Sequence, residues 1–130
     1  MIAAQRRCPC GSGLSFGQCC SRYHAGATAP TAETLMRSRF TAFVVRNGDY
    51  LLQTWDPDTR PSELNLVDLP VTFYRLEILD TVAGGLLDST GVVEFEAFYR
   101  GDPSGSQRER STFRRINRKW YYTAEIPVVQ

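Results

Sequence analysis

The sequence predicts an α+β domain carrying a small cysteine-rich knuckle at its N-terminal end. Three observations carry that reading. All four cysteines crowd into Cys8 to Cys20, one stretch in the first half repeats apolar residues at helical spacing, and four runs rich in β-branched and aromatic residues fill the second half. Helices first and strands afterwards indicate an α+β architecture, with the long helix covering one face of a curved antiparallel sheet.

The chain of 130 residues suits one domain plus an appendage, and a chain of this size buries roughly two-thirds of its unfolded surface. Hydrophobic residues at 42% and charged residues at 22% exclude the disordered class. A net charge of +1, from 15 basic and 14 acidic side chains, supplies no overall field to gather a polyanion. No stretch approaches the ~20 apolar residues of a membrane helix, and Met1 to Arg7 lacks the apolar core of a signal peptide. The expectation is a cytoplasmic protein with no membrane partner.

The first element is CPCGSGLSFGQCC. Four thiols this concentrated suit a metal site or local disulfides, and disulfides fit less well: no secretion signal is visible, and Cys8/Cys10 and Cys19/Cys20 are poorly placed to bridge within each pair. Zinc takes four thiolates tetrahedrally, and Gly11, Ser12 and Gly13 permit the turn that brings the second pair back to the first. Ser12 is a candidate cap for one helical turn through Phe16 to Gln18, with Phe16 covering the site. His24, five residues after Cys19, is an alternative to Cys20 as fourth ligand, although thiolate softness favours an all-cysteine set. Either shell is closed, so the zinc is expected to be structural.

Ala25 to Pro30 (AGATAP) reads as a linker, which divides the chain into a knuckle, residues 1–26, and a domain, residues 27–130. Thr31 then precedes a helix of about 31–46, with Met36, Phe40, Phe43 and Val44 on one face. Asn47-Gly48 is a natural stop because both residues tolerate positive φ, and Asp49 is a candidate cap for a short helix through Trp55. Asp56 to Pro70 holds three prolines and reads mostly as loop. Strands follow over Val71 to Val82, Gly91 to Arg100, Arg108 to Ile116 and Trp120 to Ile126, the last two joined by a tight turn at Asn117 to Lys119.

On the second strand Glu94 and Glu96 share a face with Val92 and Phe98, while Val93, Phe95, Ala97 and Tyr99 form the apolar face. The glutamates could serve acid/base work if they looked into a pocket; alternation favours a wet face with cross-strand arginines such as Arg110, Arg114 or Arg115. Arg39 on the long helix could reach a cavity and hold a carboxylate, or form a salt bridge to Glu77, Glu94 or Asp49. The possible pocket groups are therefore Arg39, Tyr74, Glu94 and Tyr99. The basic run Arg108, Arg110, Arg114, Arg115, Arg118, Lys119, interleaved with aromatics, could bind a single nucleic-acid strand. A hairpin with arginines on its wet face accounts for it without a ligand, so nucleic acid is not the expected partner.

The pattern C-x-C-G-S-G followed by Cys-Cys resembles the SEC-C motif of the preprotein translocase motor and of various small bacterial proteins. Together with CCSRYH, AETLMRSRFTAFV, YLLQTW, GVVEFEAFYR and RSTFRRINRKWYY, it resembles the YchJ-like family across nearly the whole chain. The resemblance implies a zinc-binding segment with Cys8, Cys10, Cys19 and Cys20 as ligands, ahead of a domain similar to nuclear transport factor 2, a cone of helices on a strongly bent sheet. In the translocase the related segment docks partners, which implies a protein partner and an adaptor role here. The rival expectation is a small-molecule binding domain or enzyme using the cone's pocket.

Overall fold

Thr31 opens the long helix where the sequence places it. In the computed structural model, which describes residues 2–66 and 69–126, Thr31 Oγ1 accepts from the Thr34 backbone N–H at 3.1 Å, satisfying a donor that the first turn leaves free. A one-turn 3₁₀ helix, Phe16–Gln18, and α1, Cys20–His24, precede the long helix α2, Ala32–Val45. The short α3, Gly48–Gln53, follows it.

The break between α2 and α3 differs in detail from expectation. The left-handed residue is Arg46, with φ 58°, rather than Asn47 or Gly48. Its guanidinium donates to the Leu66 carbonyl at 2.7 Å, which offsets a conformation that costs a non-glycine residue roughly 1–2 kcal/mol. Asn47, not Asp49, caps α3: its Oδ1 accepts from the Tyr50 N–H at 3.1 Å.

Four antiparallel strands form a meander in chain order: β1 Thr72–Ala83, β2 Thr90–Arg100, β3 Gly105–Ile116 and β4 Lys119–Ile126. Asn117 and Arg118 both take positive φ, 50° and 71°, the geometry that lets a two-residue turn follow the twist of its strands. Register shifts fall at Phe73/Arg75, Ile78/Asp80 and Thr112/Phe113. Irregularities of this kind bend a strand, and here they curve the sheet around α2.

Apolar residues of α2, Leu35, Met36 and Phe40, pack with Leu76, Val93, Phe95, Phe113 and Trp120 in the main core. Ala42, Tyr50, Leu51 and Leu66 form a second cluster under α3. The opposite flank of α2 lies against the knuckle, so no residue of that helix is wholly open to solvent.

The segment after α3 is more than a loop. Tyr122 N–H donates to the Thr54 carbonyl at 2.9 Å and Asp56 N–H to the Tyr122 carbonyl at 2.7 Å, so residues 54–56 ride on the edge of β4. Within the expected loop, residues 67 and 68 lie outside the described residues. No helix is long and apolar enough to cross a membrane.

Candidate functional site

The knuckle is built by a miniature hairpin. Cys8 N–H donates to the Leu14 carbonyl at 2.9 Å, Phe16 N–H donates to the Arg6 carbonyl at 2.7 Å, and Gly11 and Gly13 turn the chain with φ of +83° and +90°. Such angles are cheap only for glycine. The turn places Cys8 and Cys10 opposite Cys19 and Cys20, all four buried and unpaired as disulfides.

The four sulfurs lie within 4.8 Å of one another. Cys10 and Cys19 Sγ are 3.6 Å apart and Cys19 and Cys20 Sγ 3.9 Å, whereas a disulfide bond is about 2.05 Å long. A tetrahedron with zinc–sulfur bonds of about 2.3 Å has sulfur–sulfur edges of about 3.8 Å, so spacing and donor chemistry both fit such an ion. Without a cation the thiols do not all ionise: the Cys10 and Cys8 sulfurs, together with burial, push the Cys20 thiol up, whereas hydrogen bonds with Cys10 and Cys20 draw that of Cys8 down. A bound divalent cation removes that penalty.

Two polar side chains support the sulfurs. Ser12 Oγ lies 3.1 Å from Cys19 Sγ, so Ser12 serves a sulfur instead of capping the Phe16–Gln18 turn, which has no side-chain cap. Thr41 Oγ1, from α2, lies 3.7 Å from Cys8 Sγ. Thr41 went unnoticed in the sequence; the available signal is a polar residue inside the apolar stripe of the helix. Phe16 packs against the cluster as expected.

His24 stands apart from the sulfurs. Its Nε2 lies 2.9 Å from the Ser38 carbonyl oxygen, an acceptor only, so this nitrogen carries the proton and its lone pair is not free for a metal. The ring packs 4.5 Å from that of Tyr50. Cys20, the alternative to His24, contributes the fourth sulfur of the cluster.

A second feature lies across α2 from the knuckle. A partly open cavity of about 270 Å³ lies between α2, the segment after α3 and the concave face of the sheet. Of the four pocket residues drawn from sequence, it contains only Arg39. Tyr74 is exposed, with Arg100 stacked over its ring at 4.3 Å, and Tyr99 packs edge-on to Phe73, centroids 5.8 Å apart.

Glu94 corrects the pocket expectation most directly. It faces the convex side, where it pairs with Arg108 and accepts from Arg110 Nη1 at 2.9 Å; those two guanidinium groups hold its carboxyl below the usual range. Alternation along β2 decides this, since Phe95 and Ala97 take the concave side.

Arg39 forms none of the salt bridges considered for it. Its Nη1 donates to the Leu51 carbonyl at 2.8 Å and to Thr54 Oγ1 at 2.7 Å. Burial draws its guanidinium down to about 10. Elsewhere in the basic run Arg114 pairs with Asp56 and Asp58 and Arg115 donates to the Leu86 carbonyl, while Arg118 and Lys119 are exposed.

Asp56 was hidden in the expected loop. Buried at 1% exposure, its carboxylate accepts from Arg114 Nη2 at 2.8 Å, the Asp58 N–H at 2.9 Å and Thr123 Oγ1 at 3.0 Å. These donors, Arg114 first, hold its carboxyl down to about 2.

Comparison with known proteins agrees with this geometry. Residues 31–125 match the family model described as the YchJ middle NTF2-like domain, and residues 7–22 match the SEC-C motif. A UPF0225 protein of Corynebacterium glutamicum is 62% identical over 119 residues, covering 91% of this chain and 94% of the relative. The solution structure of a SEC-C motif containing protein from Rhodopseudomonas palustris superposes with a TM-score of 0.80 at 31% identity, over 99% of this chain and 100% of that one. The crystal structure of another SEC-C motif containing protein, from Psychrobacter arcticus, gives 0.77 at 25% identity, over 100% and 88%.

Proposed function

This chain belongs to the UPF0225 family, with a SEC-C motif ahead of a YchJ-type NTF2-like domain, and on that premise we propose that Cys8, Cys10, Cys19 and Cys20 hold one structural zinc ion in a noncatalytic cytoplasmic adaptor whose knuckle docks a protein partner. The observation that carries it is the direction of the knuckle's groups. All four sulfurs point inward, where a closed tetrahedral shell leaves no position for a reacting water. The turn between them is exposed, with Leu14 exposed where the hairpin closes on Cys8 and Arg6 and Arg7 exposed beside it. An exposed apolar side chain with a cationic rim is a surface suited to a protein carrying an acidic, partly apolar patch.

In this reading residues 1–26 are the docking element and residues 27–130 its platform. The test compares wild type with Leu14→Asp, which leaves every cysteine in place, by in-cell crosslinking and mass spectrometry. Loss of one specific crosslinked partner at unchanged zinc content is the expected result. Identical partners for both proteins would remove this face of the knuckle as the docking surface.

A second reading rests on the cavity. A partly enclosed space of about 270 Å³ holding a buried guanidinium favours binding of a small molecule within the cone.

A further inference from the structure

The cavity wall carries charges and polar atoms that the protein itself does not balance. Arg39 is only 3% exposed, yet both acceptors of its Nη1 are neutral. Among the described residues no carboxylate pairs with it. Its Cζ lies 5.3 Å from the Trp55 ring centroid and 4.7 Å from that of Tyr122. Ring faces stabilise a cation only in part, and a buried charge is ordinarily paired with an opposite one.

Two further groups have nothing to bond among the described residues. Trp55 Nε1 and Ser111 Oγ are buried without a hydrogen-bond partner among the described residues, and both residues line the cavity with Arg39. Ser111 is 1% exposed. Native structures rarely leave such atoms unsatisfied, and each one left so costs about 1–3 kcal/mol. Ser111 and Glu109 are two positions apart on β3 and so share its concave face. Glu109 has no cation partner among the described residues; burial and the nearby Glu125 carboxylate push its carboxyl up.

We infer that the cavity binds a small apolar carboxylic acid bearing a distal hydroxyl: the carboxylate accepts from Arg39 and Trp55 Nε1, and the hydroxyl meets Ser111 and Glu109. The inference rests on the small-molecule reading of the cavity and gives it a ligand class. Phe40, Phe73 and Phe95 supply aromatic wall to the same cavity, which suits a ring or branched chain. The volume of about 270 Å³ equals roughly nine waters at about 30 Å³ each, enough for a single-ring acid. A neutral isostere would leave Arg39 without its counter-ion, so the site discriminates by charge.

The test uses the full chain, zinc-loaded, and follows the two tryptophan indole N–H signals by nitrogen-15 NMR during titration. Trp120 Nε1 already donates to the Pro30 carbonyl at 3.3 Å, which makes it an internal control. The probes are 3-(4-hydroxyphenyl)propionate, 3-phenylpropionate, and the amide of the hydroxylated acid. The hydroxylated acid is expected to move the Trp55 signal and leave Trp120 in place, with the amide at least tenfold weaker. Arg39→Met should abolish that difference. Ser111→Ala, which alters no hydrogen bond among the described residues, should erase the preference for the hydroxylated acid over 3-phenylpropionate.

Acid and amide binding alike would overturn the carboxylate assignment and keep the cavity as a binding site. A preference unchanged by Ser111→Ala would overturn the placement of the hydroxyl. No movement of the Trp55 signal with any probe at millimolar concentration would overturn both the inference and the reading beneath it.

Discussion

Arg37 Nη1 on the long helix donates to the carbonyl oxygen of Cys10 at 2.5 Å, across 27 positions of sequence. The same side chain accepts a local brace, its Nε donating to Glu33 Oε2 at 3.1 Å, so the guanidinium is aimed before it reaches the knuckle. Cys20 Sγ sits 3.6 Å from the Arg37 carbonyl, giving a second tie to the same residue. Arg37→Ala is expected to cost about 1.5–3 kcal/mol, the range for a hydrogen bond from a charged donor. Urea unfolding measures it, and a cost under about half a kcal/mol would mean the contact is idle.

Metal removal should act on the fold and not on the knuckle alone, because three residues of α2, Arg37, Ser38 and Thr41, contact the segment that holds the sulfurs. Wild type is expected to contain one zinc per chain, and Cys19→Ser to lose it. A strong chelator should expose four titratable thiols and lower the melting midpoint. Absence of zinc from protein prepared without chelators, with thiols unaffected by added zinc, would sink the metal reading.

Deleting residues 1–26 tests the division into knuckle and platform. The main core lies on the sheet side of α2, so residues 27–130 are expected to keep their β-sheet circular dichroism. Ser38 and Tyr50, which share a 2.7 Å hydrogen bond beneath α1, lose the cover of His24, and the midpoint should fall. An unfolded fragment would show that the knuckle belongs to the core; an unchanged midpoint would show that its packing contributes nothing.

Asp56 should set a step in acid stability. Its carboxyl is held down to about 2, below the usual aspartate value, so its contribution is complete above about pH 5 and disappears as pH falls toward 2. Asp56→Asn should remove that step and, by leaving Arg114 short of its partner, cost about 1–3 kcal/mol at neutral pH. Equal acid transitions for wild type and variant would assign the step to another group.

What the sequence disclosed is what neighbours in sequence decide. The Thr31 cap, the four strands, the turn at Asn117 and the cysteine hairpin all follow from patterns a few residues long. Asp56 and Arg114 are 58 positions apart, and no local pattern marks an aspartate after Trp55 as the anchor of two strands. Arg39 was legible as a cavity candidate from helical phase, but its missing counter-ion emerges only once α3 and β4 surround it. Glu94 shows the reverse: strand alternation favoured the outer face, while its place among pocket candidates came from chemical type alone.

The enclosure of α2 changes what variation the protein can absorb. A helix lying on a sheet normally keeps one wet stripe, where substitutions are nearly silent every third or fourth residue. Here the sheet holds one flank and the sulfur-bearing segment the other, so that respite is missing over Leu35 to Ala42. A saturation mutagenesis scan should therefore find a continuous band of intolerance from Leu35 to Ala42 instead of a rippled one, and drift in this chain should concentrate on the convex strand faces and the hairpin around Leu87, which is 95% exposed.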